Sequence, residues 1–237
     1  MIPEPLLLLA LALLGGAVAL DGTSVGQFMV SRPLVAATLG GLAAGRPAEG
    51  ILVGVALEAL HLAVLPVGAA TYPEAGPPAV AAGALFALTA QSYYASTGFS
   101  TAEGPYAALL VIVLFTLAWE WVGGRTVVAL RHYNARFDGV EPGGTLEPAA
   151  LARRHWTPVA LDFARGTFLT VAAVVLLGAL LGALETRLMA FPPRWAALAV
   201  GAAIAAGTAS GLRLFGRARW PFFAAGAALG ALWLFVR

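Results

Sequence analysis

Polar side chains interrupt the apolar sequence between residues 20 and 78, and five of them are candidate site residues: Asp21, Gln27, Ser31, Glu58 and Glu74. An ionisable side chain at membrane depth costs at least about 2.5 kcal/mol on insertion scales, so a carboxylate kept in an apolar run is usually functional. Carboxylates, amides and hydroxyls form several hydrogen bonds each, as a binding site for a polar solute requires. These residues predict the floor of a polar substrate site.

Four of these residues also fit structural roles. Glu58 is equally able to form an internal hydrogen bond or ion pair that fixes helix packing. Asp21, in the sequence Asp-Gly-Thr, is typical of a helix N-cap as well as of a substrate contact. Ser31 also fits a turn that precedes a proline, and Glu74 fits a solvated turn.

Two basic residues beside these positions have other interpretations. We interpret Arg32 as a structural clamp, because its planar guanidinium suits backbone carbonyls or an internal acid. His61 follows Glu58 by three residues and is interpreted as a hydrogen-bonded partner within its helix. The alternative is an intramembrane enzyme in which Glu58 and His61 form an acid–base pair. The sequence lacks nucleotide-binding and nucleophile motifs and metal-ligand spacing, so we predict no catalytic residue, metal or cofactor.

The composition is that of a membrane protein. The 237 residues are 60% hydrophobic and 11% charged, whereas soluble domains carry about 25% charged residues. The net charge of +2 is carried by scattered arginines, which argues against nucleic-acid binding and against a polybasic membrane anchor. Only Glu4 is charged before the apolar run 6–20, so this run is expected to remain as the first span.

Seven apolar windows have about the 20 residues that a helix needs to cross the hydrocarbon core. They are residues 4–20, 50–70, 78–97, 105–123, 166–184, 194–212 and 220–236. The window 34–45 is too short for an ordinary span, and a re-entrant or broken helix covered by protein fits it better. The predicted fold is all-α: a polytopic membrane bundle of about seven spans with at least one short re-entrant or broken helix.

Clustered arginines predict the orientation of this bundle. The segment 124–165 and the loop 213–219 carry most of them, and both are expected on the cytoplasmic side. The loop 71–77 then lies toward the cytoplasm and the loop 98–104 lies outside. The side of the N-terminus depends on whether residues 33–45 cross the membrane.

We expect a single membrane domain over residues 1–237. It divides into an N-terminal part, 1–123, that holds the substrate site, a polar connecting segment, 124–165, and a C-terminal helical part, 166–237. Pairs of small residues four positions apart, such as Gly50 and Gly54, predict close helix packing.

Four sequence blocks occur in order along residues 20–78. They are an Asp–Gln–SRP block, a TLxGLxxG block, a GILVGxxLE block and a small-residue loop that ends in Tyr-Pro-acid. In these blocks the chain resembles the membrane-spanning IIC component of the mannose/sorbose family of the bacterial sugar phosphotransferase system. Two positions depart from the family pattern: Arg46 stands where many relatives have aspartate, and Glu74 stands where aspartate is common.

The resemblance implies an oligomeric, multi-pass permease subunit in the bacterial inner membrane. Such a subunit binds a hexose or an amino sugar from outside and delivers it for phosphorylation. It assembles with a sister membrane subunit, IID, and receives the phosphoryl group through the cytoplasmic proteins IIA and IIB. The alternative within this family is a regulatory or assembly subunit of an incomplete system.

Overall fold

The computed structural model describes residues 3–64, 71–97, 105–137 and 147–212, together with residues 216, 220, 221, 223–225 and 228. Regular structure in these residues is entirely helical, which confirms the all-α prediction. The helices are α1 (Pro5–Thr23), α2 (Pro33–Ala43), α3 (Pro47–His61), α4 (Gly76–Thr97), α5 (Tyr106–Asn134), α6 (Pro148–Ala190) and α7 (Pro193–Gly211), and a short 3-10 turn, Ala135–Phe137, follows α5.

Prolines and one glycine set several helix ends. Proline begins α1, α2, α3 and α6, where its fixed φ suits a helix and its missing N–H leaves no bond unmade. Beyond the end of α2, Gly45 takes a φ of 77°. The N–H of Arg46 donates to the carbonyl of Gly41 (2.8 Å) and the N–H of Gly45 donates to that of Leu42 (2.9 Å). This Schellman motif turns the chain directly from α2 into α3.

Helices α2 and α3 therefore form a hairpin of short helices. With 11 residues, α2 is about 16 Å long, far below the roughly 30 Å of a hydrocarbon core. The hairpin packs on α4. The short helix predicted near residues 34–45 is thus present and covered by protein on one side.

Three of the described helices, α1, α5 and α6, are long and apolar enough to cross a bilayer. The helix α3 ends at His61, and residues 65–70 of the window 50–70 lie outside the described residues, as does most of the window 220–236. The count of about seven spans stays a prediction.

The helix α4 lies at the centre of the bundle. Its residues 79–82 and 84–87 are fully buried, and most of them are alanine. The backbones of α2 and α4 approach closely at two glycines. A Cβ added to Gly83 would stand 2.0 Å from the carbonyl oxygen of Ala37, and one added to Gly40 would stand 2.1 Å from that of Val80. Small residues thus let α2 pack directly on α4.

The helices α5 and α6 run beyond the expected boundaries of the connecting segment. With 29 and 43 residues, they are about 43 and 64 Å long. The boundaries expected at 123/124 and 165/166 both fall inside these continuous helices. Residues 138–146 of the polar connecting segment lie outside the described residues.

Candidate substrate site

A cavity of about 380 Å³ opens where the end of α1, the loop 24–32, the end of α3 and the loop 71–75 meet. Its volume lies within the range of small-molecule sites. The polar residues in its wall are Asp21, Thr23, Gln27, Ser31, Arg32, His61, Tyr72, Glu74 and Arg131. All the predicted site residues except Glu58 therefore line one cavity.

Asp21 shapes the loop that forms one side of the cavity. It lies in the last turn of α1, so the N-cap interpretation is wrong. Its Oδ1 accepts the backbone N–H of Phe28 at 2.5 Å, and its Oδ2 accepts that of Ser31 at 2.8 Å. The carboxylate is almost completely buried. Asp21 thus holds the loop closed over the end of α1.

This loop carries backbone in a sparsely populated conformation. Gln27 has a φ of 58° and Met29 a φ of 66°, which is the left-handed region that residues other than glycine rarely adopt. Such strain persists where the surrounding structure enforces it, commonly at ligand sites. Both residues line the cavity with exposed side chains.

Replacing Asp21 with asparagine is expected to destabilise the protein by about 1 kcal/mol, because the amide has one acceptor oxygen and leaves one partly buried backbone N–H without this partner. Thermal unfolding in detergent measures the change. Glu147→Gln, which makes the same chemical change at an exposed position, is the matched control. Equal unfolding temperatures for the two variants would contradict the role given to Asp21.

Glu58 lies behind the cavity wall and reaches the cavity through Arg32. The Nε of Arg32 donates to Oε1 of Glu58 at 2.8 Å, and its Nη2 donates to the same oxygen. The backbone N–H of Leu34 donates to Oε2 at 3.2 Å. Glu58 therefore joins α3 to the start of α2, while Arg32 itself lines the cavity.

Glu74 belongs to a buried ionic cluster. Arg165 of α6 donates through Nη2 to Oε1 of Glu74 at 2.6 Å, and its Nη1 donates to Oε2. The same guanidinium donates to Oδ1 of Asp162, from Nη2 at 2.7 Å and from Nε at 3.0 Å. Glu74 is 6% exposed and Asp162 is 0% exposed, so Glu74 is not a solvated turn acid.

Asp162 connects this cluster to α1. Its Oδ2 accepts the hydroxyl of Thr23 at 2.6 Å and also that of Ser24. The sequence prediction missed both Asp162 and Arg165. Their signal was an acid and a base three residues apart directly before the apolar run 166–184, which is uncommon at membrane depth.

His61 pairs with Glu120 of α5, a residue that the sequence prediction also missed. The Nε2 of His61 lies 2.9 Å from Oε2 of Glu120, and its Nδ1 lies 2.8 Å from the carbonyl oxygen of Leu57. A carbonyl only accepts, so Nδ1 carries a hydrogen, and a single proton must lie between Nε2 and Oε2. Both side chains are buried. With both ring nitrogens engaged, the geometry does not favour His61 as an acid–base partner of Glu58.

The backbone joins this pair to the cavity. The carbonyl of Glu120 accepts the N–H of Glu74 at 3.0 Å. Arg131 lies about three helical turns further along α5, with its guanidinium 5.9 Å from the ring centroid of Tyr72. One side of α5 therefore contacts the loop 71–75 at two places, at Glu120 of the buried pair and at Arg131 in the cavity wall.

Long apolar helices, a short helical hairpin and a polar cavity at the interrupted helix ends are together features of membrane transport proteins. The chain matches the family described as "PTS system sorbose-specific iic component" over residues 5–232, and it belongs to that family. It is therefore a membrane component of the sugar phosphotransferase system. It has a role in sugar transport and associates with other components of that system.

The chain was also compared with solved structures and with curated proteins. A solved structure described as "Structure of membrane protein" superposes with a TM-score of 0.64, at 20% sequence identity, over 97% of this chain and 87% of that chain. At this identity the likeness shows the fold alone. The search of curated proteins returned no match.

Proposed function

We propose that the chain binds a hexose or an amino sugar in the cavity and translocates it across the bacterial inner membrane for phosphorylation by IIB. IID would be its partner in the membrane, and IIA would supply IIB with the phosphoryl group. The observation that carries this proposal is that Asp21, Gln27, Ser31, Arg32 and Glu74 line the same cavity of about 380 Å³ in a chain of this family.

The cavity chemistry suits a neutral polyol. Each oxygen of Asp21 accepts one backbone N–H, and a carboxylate oxygen has a second lone pair that a sugar hydroxyl can use. Gln27 adds an amide that both donates and accepts. The cations near the cavity are largely engaged with acids, Arg32 with Glu58 and Arg165 with Glu74. An uncharged substrate fits this balance better than an anion.

Gln27 offers a test that separates binding from folding. In Gln27→Gly, glycine adopts the left-handed backbone without strain. This relief offsets the larger conformational entropy that glycine loses on folding, so the free energy of unfolding is expected to change by less than about 1 kcal/mol. Loss of one amide hydrogen bond weakens sugar binding by about 0.5–1.5 kcal/mol, or roughly two- to tenfold. Binding of labelled mannose, glucose, fructose, sorbose and glucosamine to the purified protein with its membrane partner measures the effect.

Met29→Gly is the matched control for this test. It relieves the same left-handed strain two residues away and removes an apolar side chain. It is expected to weaken sugar binding less than Gln27→Gly does, because it removes no group that forms a strong hydrogen bond with a sugar hydroxyl. If Gln27→Gly bound every sugar as wild type does, or if the wild type bound none, the assignment of this cavity to sugar would be wrong.

A further inference from the structure

A second cavity, of about 390 Å³, lies between α4, α5 and α6 and shares no lining residue with the first. One wall is the last part of α4, another is the start of α5 at Pro105 and Ala108, and the third is the last part of α6. Its volume is also that of a small-molecule site. Nothing in the proposed function uses it.

The α4 wall presents a row of hydroxyl groups. Thr89, Ser92, Tyr93 and Ser96 all line the cavity, and their spacing of three, four and seven residues places them on one helix face. The hydroxyl of Thr89 donates to the carbonyl of Leu85 at 2.8 Å, and that of Ser96 donates to the carbonyl of Tyr93 at 3.0 Å. The lone pairs of these oxygens are thereby turned to accept hydrogen bonds.

The α6 wall combines an acid with apolar surface. Glu185 lines the cavity with an exposed side chain, one turn beyond Leu181 and Gly182. Leu188 and Met189 continue this wall. Hydroxyls and a carboxylate thus share the cavity with apolar groups, as the hydroxyls and C–H faces of a monosaccharide require.

The two cavities lie toward opposite ends of the same helices. Along α4, Pro77 lines the first cavity and Thr89 lines the second, a rise of about 18 Å over 12 residues. Along α5, Ala108 lines the second cavity and Arg131 lines the first, about 35 Å apart by helical rise. The arginine-rich end of α5, near the first cavity, is expected in the cytoplasm. The second cavity then faces outside.

We propose that the second cavity is an external binding site for the same monosaccharides, where sugar is collected before it reaches the first cavity. This proposal rests on the proposed function. The hydroxyl row of α4 and Glu185 would bond the sugar hydroxyls, and Leu181 and Leu188 would cover its apolar face.

The chain has no cysteine, so each introduced cysteine is the only thiol of the chain that a maleimide can label. Its labelling rate then reports access to the cavity in which it lies. Ser92→Cys places a near-isosteric thiol in the second cavity, and Ser31→Cys places one in the first. A membrane-impermeant maleimide added outside right-side-out vesicles is expected to label Ser92→Cys. Any sugar of the panel at about ten times its Kd should slow that labelling about tenfold, because the unoccupied fraction falls accordingly. Arg194→Cys, at the exposed start of α7 and outside both cavities, should label at the same rate with and without sugar.

Ser31→Cys, probed in inside-out vesicles, separates this proposal from the proposed function. Protection of both thiols supports both sites. Protection of Ser31→Cys alone overturns the external site and leaves the proposed function standing. Protection of Ser92→Cys alone supports the external site and overturns the assignment of sugar to the first cavity. No protection of either thiol overturns both, as does equal protection by sugar of the Arg194→Cys control.

Discussion

Replacing Arg165 with methionine is expected to leave little folded protein in the membrane. The change removes the cation that is shared by two buried carboxylates, Glu74 and Asp162. Breaking a buried ion pair from one side costs about 3–5 kcal/mol, since an uncompensated charge stays behind. Two acids share this cation, so we expect the upper part of that range. Expression level and the fraction that is monodisperse in detergent measure the loss.

Arg187→Met is the control for this prediction. It removes a cation from the same helix at an exposed position near the end of α6, where a change in charge is worth well under 1 kcal/mol. A triple variant, Arg165→Met with Glu74→Gln and Asp162→Asn, should recover much of the folded protein because no buried charge is left unpaired. If the single variant Arg165→Met gave as much folded protein as the wild type, the ionic cluster would not stabilise the fold.

Replacing Gly83 with alanine is expected to separate α2 from α4. The new methyl carbon would stand 2.0 Å from the carbonyl oxygen of Ala37, which is backbone and cannot rotate away. Overpacking of this kind typically costs about 1–3 kcal/mol and occasionally more, and here a rigid helix must shift. Because the hairpin carries Arg32 and Glu58, sugar binding should fall together with the unfolding temperature.

Gly201→Ala provides the contrast for Gly83→Ala. A Cβ at Gly201, in α7, would meet no atom within 4 Å. Alanine is favoured over glycine inside a helix by about 1 kcal/mol, so this variant should be as stable as wild type or more so. If both alanine variants unfolded at the wild-type temperature, the close approach of α2 and α4 would not be a tight contact.

Helices and loops that depend on local sequence could be predicted well. The length of the window 34–45 predicted a helix shorter than an ordinary span, and α2, with 11 residues, is such a helix. Asp21 is close in sequence to Gln27 and Ser31, so the contact of the α1 end with the loop that follows it depends only on local sequence. The resemblance in four ordered blocks was confirmed by the family match over residues 5–232.

The ionic partners could not be predicted, because each comes from a distant segment. Arg165 reaches Glu74 across 91 residues, and Glu120 reaches His61 from another helix. Sequence shows that a buried acid needs a partner, but not which of several cations folding brings to it. Asp21 was ambiguous for a related reason, since an Asp-Gly-Thr segment suits the end of a helix as well as its beginning.

The pairing inside the α2–α3 hairpin has an electrical consequence. Between Arg32 and Leu60 the chain carries two arginines and two glutamates, joined as Arg32 with Glu58 and Arg46 with Glu49. Moving one elementary charge through 100 mV requires about 2.3 kcal/mol, yet the formal charges of this unit sum to zero. If the hairpin moved with a neutral sugar, these two pairs would therefore add no net work against the membrane voltage, and sugar loading would not become voltage-dependent through them.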